Sequence, residues 1–269
     1  MHWEAIFLEI STIIGLVAGI LSVVVGMALK GASPMALLNP AAFLIIMGGT
    51  VACLFNAFTI DILKKFPALV KTLFRKAEFM PKPEMLKMFV ELSQVARREG
   101  ILALESRVND ITDEFLKKGL SMVIDGLDPD FVGDVLDAEI QGMEERHRVG
   151  ALIFSQAGTY APTLGVLGAV IGLIAALGNL DDIEKLGHSI AAAFVATLLG
   201  IFTGYVIWHP FANKLKMMSK KEVDVKKMMV EGILSLQAGD SPTAIEAKLM
   251  VFIPQSERQA LKEKTEETS

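Results

Sequence analysis

The sequence predicts an all-α protein with four transmembrane helices and a cytoplasmic helical domain formed by the 2–3 loop and the C-terminal segment. Three observations carry this. First, four long runs, 10–29, 41–60, 151–180 and 188–213, are apolar and almost free of ionisable residues. Each reaches the ~20 residues that cross a hydrocarbon core of ~30 Å. Second, the stretches between and after them are charged and place their apolar residues at helical spacing. Third, no strand-like alternation of useful length interrupts them. The chain has 269 residues, 52% of them hydrophobic, so the greasy half and the charged half are both substantial.

The elements follow in order. Residues 1–60 hold transmembrane helices 1 and 2. The first run is too long for a signal-peptide core and is followed by Lys30 rather than a small-residue cleavage site, so it is retained. Residues 61–150 form the cytoplasmic helical domain. In it, Met85, Met88, Phe89, Leu92, Val95 and Ala96 make one apolar stripe. Ile101, Leu104, Val108 and Ile111 continue a similar period past Gly100. A break is expected at Asp125-Gly126. Asp128 is then placed to cap a helix with Pro129 in its first turn. That helix turns Phe131, Val135, Leu136, Ile140 and Met143 inward and runs into the third span. Residues 151–213 hold transmembrane helices 3 and 4. Residues 214–269 supply C-terminal cytoplasmic helices and a tail. Val225, Met229, Ile233 and Leu236 mark one helix, ended by Gly239, and Ser241-Pro242 opens a short one. From Pro254 the stripe is lost and a frayed tail is expected.

Loop charge sets the orientation. Lys64, Lys65, Lys71, Arg75 and Lys76 follow the second run; Lys214, Lys216, Lys220 and Lys221 follow the fourth. The other two connections hold only Lys30 and Lys185, the latter beside Asp181, Asp182 and Glu184. The positive-inside rule puts both soluble parts and both termini in the cytoplasm.

Several function classes are excluded. There is no P-loop, no HExxH and no clustered metal ligand set, so no cofactor or metal is expected. His2, His147, His188 and His209 are scattered near membrane ends and are read as structural or interfacial. The single cysteine, Cys53, cannot form an internal disulfide. A net charge of −5 without a basic stripe argues against nucleic acid. An ion gradient is the energy source left in a membrane. The spans carry no acid or base of their own to relay an ion, so a partner must supply the carboxylate.

Within the spans a few residues stand out. Gly168 and Gly172 are four apart, as are Ala196, Gly200 and Gly204, with a weaker version at Gly15 and Gly19. Such faces let helices approach closely in lipid. They serve either packing within one subunit or a smooth wall around a central partner. Pro162 and Pro210 each remove a backbone donor from a span and kink it. Thr197 either bonds back to its own helix or offers an oxygen to a passing ion or water. In the soluble part, Arg97, Arg98, Glu99 and Glu105 interrupt apolar stripes with charge. They are either a solvated face or the means of orienting a charged partner.

The stretch 156–165, Gln-Ala-Gly-Thr-Tyr-Ala-Pro-Thr-Leu-Gly, with Gly168-Ala169-Val170-Ile171-Gly172, resembles the third-span signature of the MotA family of flagellar stator subunits, in the MotA/TolQ/ExbB proton channel superfamily. Leu186-Gly187-His188, 193–200 and His209-Pro210 are similar to that family's fourth span, and Ala96-Arg97-Arg98-Glu99-Gly100 with Leu104-Glu105 to its charged cytoplasmic motif. The likeness runs from the first span to about Pro254. It implies a multi-pass protein of the bacterial inner membrane and a homo-pentamer around a dimer of MotB. MotB would bring the missing aspartate in its membrane span and a domain gripping peptidoglycan. The resemblance gives Pro162 and Pro210 to coupling ion flow to movement and places Thr197 on the ion path. It gives Arg97 and Glu105, with Arg98 as accessory, to contact with the rotor protein FliG. Sodium-driven relatives carry threonine where this chain has Ala169. A methyl offers no oxygen to a desolvated sodium ion, so proton coupling is expected. An ExbB- or TolQ-like energiser has three spans where four are read here. A passive scaffold leaves the positions of Pro162, Ala169 and Thr197 unexplained.

Overall fold

The computed structural model describes residues 10–75 and 79–258. Among them the chain is almost wholly helical. It divides into two compact units. The first is Met1–Ala77 with Arg146–Met217; the second is Glu78–Glu145 with Met218–Ser269.

In the first unit, α1 (Ile10–Leu29) is apolar on every side, and of its residues only Thr12 is buried. A short 3₁₀ turn, Pro34–Leu37, precedes α2 (Pro40–Phe43). There the Asn39 side chain accepts from the Ala42 N–H at 3.1 Å, with Pro40 in the first turn. A π-helical turn, Leu44–Gly48, leads into α3 (Gly49–Ala57), so the second span carries an irregular turn at its glycine pair. The short helices α4 (Ile60–Leu63) and α5 (Phe66–Leu73) close an aromatic cluster. Phe66 stacks on Phe154 with ring centroids 5.1 Å apart, and Trp208 and Phe211 pack around Phe154. The Thr12 hydroxyl donates to Leu73 O at 2.9 Å and ties α1 to this cluster.

The second unit begins with α6 (Lys82–Glu99), a 3₁₀ turn Ile101–Leu104, α7 (Glu105–Asn109) and α8 (Glu114–Ile124). Gly100, with φ of 89°, makes the bend after α6. Two long helical stretches follow in the chain. The helix α9 covers Pro129–Leu177, and α10 (Ile183–Phe202) passes through a π-helical turn, Thr203–Trp208, into α11 (His209–Gln237). The chain ends with α12 (Pro242–Met250), capped by Ser241, which accepts from the Ala244 N–H at 3.2 Å. The core of this unit is built from large side chains, among them Met85, Phe89, Leu116, Leu136, Met228, Met229 and Ile233.

The expected start of α9 is present: Asp128 Oδ1 accepts from the Asp130 N–H at 2.9 Å. Its expected inward face is corrected at one position. Phe131 is 53% exposed and its neighbour Val132 is fully buried. In the first turn, where no preceding turn is present to fix the phase, Val132, Leu136 and Ile140 define the buried line. The tail expected after Pro254 falls largely outside the described residues, as does His2.

Candidate functional site

The third and fourth spans meet along a seam of small residues that runs in opposite directions on the two helices. A Cβ built on Gly200 would stand 2.7 Å from Gly165 Cα and 2.8 Å from Ala161 O, so these backbones touch. Further along, a Cβ on Gly168 would lie 3.1 Å from Ala196 Cβ, and one on Gly172 2.9 Å from Ala193 Cβ. The small residues of spans three and four are therefore used for packing within the chain, one of the two roles open from the sequence. Gly19 does the same for α1 against Val206, whereas Gly15 has nothing within 4 Å.

Pro162 belongs to this seam. It is half-buried, and a Cβ on Gly204 would lie 2.6 Å from its Cγ and 2.9 Å from Gly158 O. Gly158 O is the carbonyl to which a residue at 162 would ordinarily donate, and proline has no N–H to give. The proline thus faces the π-helical turn of the neighbouring helix, two irregularities of the helical ladder set side by side. The His209 ring packs against Gly158 one turn away. Pro210, two residues past the end of the π-helical turn, cannot donate to Val206 O, which accounts for the local widening. It is exposed and lines a small pocket of about 150 Å³ with Ser11, Thr12 and Lys214.

Thr197 and Ala169 lie elsewhere. Thr197 lines an open apolar groove of about 580 Å³ with Val23, Phe194, Ile201 and Tyr205. Its hydroxyl reaches back to Ala193 O at 3.4 Å, a long bond that holds it weakly. Ala169 is half-buried beside Gly168 and lines neither space. Within one chain, then, the four residues considered for the ion path occupy separate surroundings.

In the second unit, Arg97, Arg98 and Glu105 are all exposed, with the Gly100 bend between the arginines and the glutamate. The arginines differ. Arg98 Nε donates to Gln94 O at 3.3 Å, back onto its own helix. Arg97 opens into a pocket of about 250 Å³ with Gln237 and Asp240. Those last two residues were not expected from the sequence; the only signal was Gly239, read as a helix end. Lys248 Nζ sits 2.9 Å from Asp240 Oδ2 and 3.3 Å from Glu231 Oε1. Its hydrogen bond to Asp240 holds that carboxyl below the ordinary carboxylate range and lifts the lysine above its own ordinary value. Among the described residues no group of three or more His, Cys, Asp or Glu could hold a metal.

Two family descriptions match. Residues 107–228 match the MotA/TolQ/ExbB proton channel family, and residues 13–100 match the motility protein A N-terminal family. The chain is 53% identical over 248 residues to a "Motility protein A" of Bacillus subtilis, covering 92% of each. Its fold matches a solved structure of the flagellar MotAB stator complex from Bacillus subtilis, with a TM-score of 0.88 at 53% identity over 92% of this chain and 97% of that one. It also matches a structure of C. jejuni MotAB, with a TM-score of 0.86 at 34% identity over 92% and 96% of the two chains. The chain belongs to the MotA/TolQ/ExbB proton channel family. Within it, its role is that of a flagellar motor stator subunit and not of an enzyme. The family and the four apolar helices fit an inner-membrane protein.

Proposed function

We propose that this chain forms a homo-pentamer around a MotB dimer and converts proton flow into torque on the rotor protein FliG. It crosses the inner membrane as a multi-pass protein with both termini cytoplasmic. Residues 1–60 and 151–213 supply the spans; 61–150 and 214–269 supply the cytoplasmic part. The observation that carries this reading is a charge-free span pair whose seam sets Pro162 against the π-helical turn. Helices without carboxylates do not relay a proton unaided, so the partner's aspartate has to carry it. Protonation removes that charge and weakens its hold on the wall near Thr197 and Pro162. The wall then advances by one subunit. The seam and the turn beside Pro210 bend while the backbone contact at Gly200 keeps the two spans together. Arg97 and Glu105, with Arg98 as accessory, pass the motion to oppositely charged rotor residues.

The test is swimming of a stator-deleted bacterium expressing this chain with its cognate MotB, in sodium-free medium with and without a protonophore. Motility that survives sodium removal and stops with the protonophore is expected. Motility only in sodium would keep the stator reading and overturn the Ala169 argument. Ala169→Thr is expected to introduce partial sodium dependence, measured as swimming speed against sodium concentration. Unchanged independence of sodium would remove residue 169 from the ion path.

A further inference from the structure

On the side toward Lys214, the groove that holds Thr197 ends at Tyr205, and Tyr205 touches His209. Thr197, Ile201, Tyr205 and His209 follow at four-residue steps along one continuous helical stretch. On a regular α-helix three such steps would carry the last residue about 120° around the axis. The π-helical turn Thr203–Trp208 takes in an extra residue and recovers part of that drift. The two rings consequently stand 5.3 Å apart between centroids, tilted by 48°. Tyr205 is 64% exposed and lines the groove with Thr197. His209 is half-buried, and its ring lies face-on against Gly158: a Cβ built there would be 2.8 Å from both Cγ and Cδ2 and 2.9 Å from Cε1. The missing side chain of Gly158 is what makes room for the imidazole. Neither Tyr205 nor His209 makes a hydrogen bond within the chain among the described residues, and neither has a fully buried polar atom, so hydroxyl and imidazole are open to water.

The stretch from Thr197 to His209 covers about 18 Å of helix. Its other polar side chains do not serve the groove: Thr203 donates back to Leu199 O at 2.8 Å, and the Trp208 indole N–H is buried in the aromatic cluster. A proton leaving a partner's carboxylate near Thr197 therefore has an apolar wall ahead of it, except at Tyr205 and His209. From 189 to 208 there is no Asp, Glu, Lys, Arg or His. His209 is the first side chain past Thr197 of the kind that takes up and gives back a proton near neutral pH. Its neighbours leave it to Tyr205: Lys214 turns to Ser11 Oγ at 2.9 Å, and Tyr160 of α9 packs into the aromatic cluster. We propose that Tyr205 and His209 are the cytoplasmic exit of the proton path. This rests on the reading above, in which the chain is proton-driven and the partner's carboxylate stands near Thr197. Water held at the Tyr205 hydroxyl hands the proton to one ring nitrogen of His209. The imidazolium gives up the proton of its other nitrogen to cytoplasmic water and is neutral again, so no charge stays in the span.

The test is the rotation of beads on flagellar stubs, in stator-deleted cells expressing the full chain with its cognate partner in sodium-free medium. Large beads give the high-load torque and small beads the low-load speed, and membrane abundance is measured alongside. Near stall, torque follows the proton gradient; at low load, the slowest transfer limits speed. His209→Gln is expected to cut low-load speed at least about tenfold, as loss of a positioned proton carrier does, and to leave high-load torque at the parental level. Tyr205→Phe keeps a ring against His209 and removes the hydroxyl; it is expected to slow low-load rotation alone, by a smaller factor. His209→Ala opens room where the ring lay, and imidazole added to the medium is expected to restore its low-load speed without changing the parental chain. Parental low-load speed in His209→Gln, or in Tyr205→Phe where the histidine variants fail to accumulate, would overturn the inference and keep the stator reading. An equal loss at both loads that imidazole does not relieve would also overturn it, because the ring would then serve packing alone. No rotation by the parental chain without sodium would overturn the proton reading itself.

Discussion

The α9–α10 seam and the core of the second unit are held together by opposite means. In the seam, backbone meets backbone: Gly200 lies against Gly165 and Ala161, with no large side chain between them. In the second unit, Phe89, Met85, Leu116 and Met228 are fully buried and fill the space between helices. Only where a glycine leaves room does a helix come closer, as at Gly232 under the Phe89 ring. The difference follows from the solvent. In water, burying a large apolar side chain stabilises by roughly 1.5–3 kcal/mol. In lipid that gain vanishes, since the surroundings are as apolar as leucine, and close packing of small residues is what is left. The outer faces agree: Ile14, Val17, Leu21, Val170 and Ile174 are about half exposed or more, as lipid-facing residues can be.

The largest expected effect breaks the watery half. Phe89→Ala removes a ring that packs on Gly232 and should lower stability by about 3–5 kcal/mol, read from thermal unfolding of the purified protein in detergent. A loss under about 1 kcal/mol would mean that the second unit is not organised around this ring. Next comes the seam. Gly200→Val drives a side chain into Gly165 Cα and Ala161 O, which are backbone and cannot rotate away. It should cost about 1–3 kcal/mol or more and abolish rotation. Gly15→Ala, at the weaker glycine pair of the first span, meets nothing within 4 Å and should leave swimming unchanged. Equal behaviour of the two variants would refute the assignment of the seam to Gly200.

The smallest effect concerns pH. Asp240 has a lowered pKa, so its contribution is present above the unfolded carboxylate range and is lost as pH falls through its depressed folded value. Lys248 has a raised one, so its contribution is complete below the unfolded lysine value and is lost as pH rises through the folded value. The Asp240–Lys248 pair should therefore add no slope to stability between about pH 5 and 9. A slope near neutrality that vanished in Asp240→Asn would contradict this.

Much of the architecture was legible from local rules. Asp128 caps the helix it was expected to cap, and the short helix expected at Ser241-Pro242 begins there, because a helix start depends on neighbours two or three residues away. The four apolar runs correspond to four helices long enough to cross a membrane, since length and hydropathy are properties of a segment. Phe131 was misplaced because a one-residue choice of phase at a helix start depends on what the rest of the helix packs against. Gln237 was invisible as a pocket residue because the bond that holds its side chain reaches Leu127, over a hundred residues away.

By itself, then, the sequence determined the all-helical class, the four apolar runs, the cap at Asp128, the family motifs and the lack of a carboxylate in those runs. All of these depend on residue type and short spacing. Only the tertiary structure decided that Pro162 faces Gly204 and the π-helical turn, that Arg97 shares a pocket with Asp240 while Arg98 bends back, and that Gly15 and Gly200 play different parts. Spacing says which residues share a helix face. It does not say which other helix that face will meet, and distance between helices is what turns a glycine from an unpacked position into a contact.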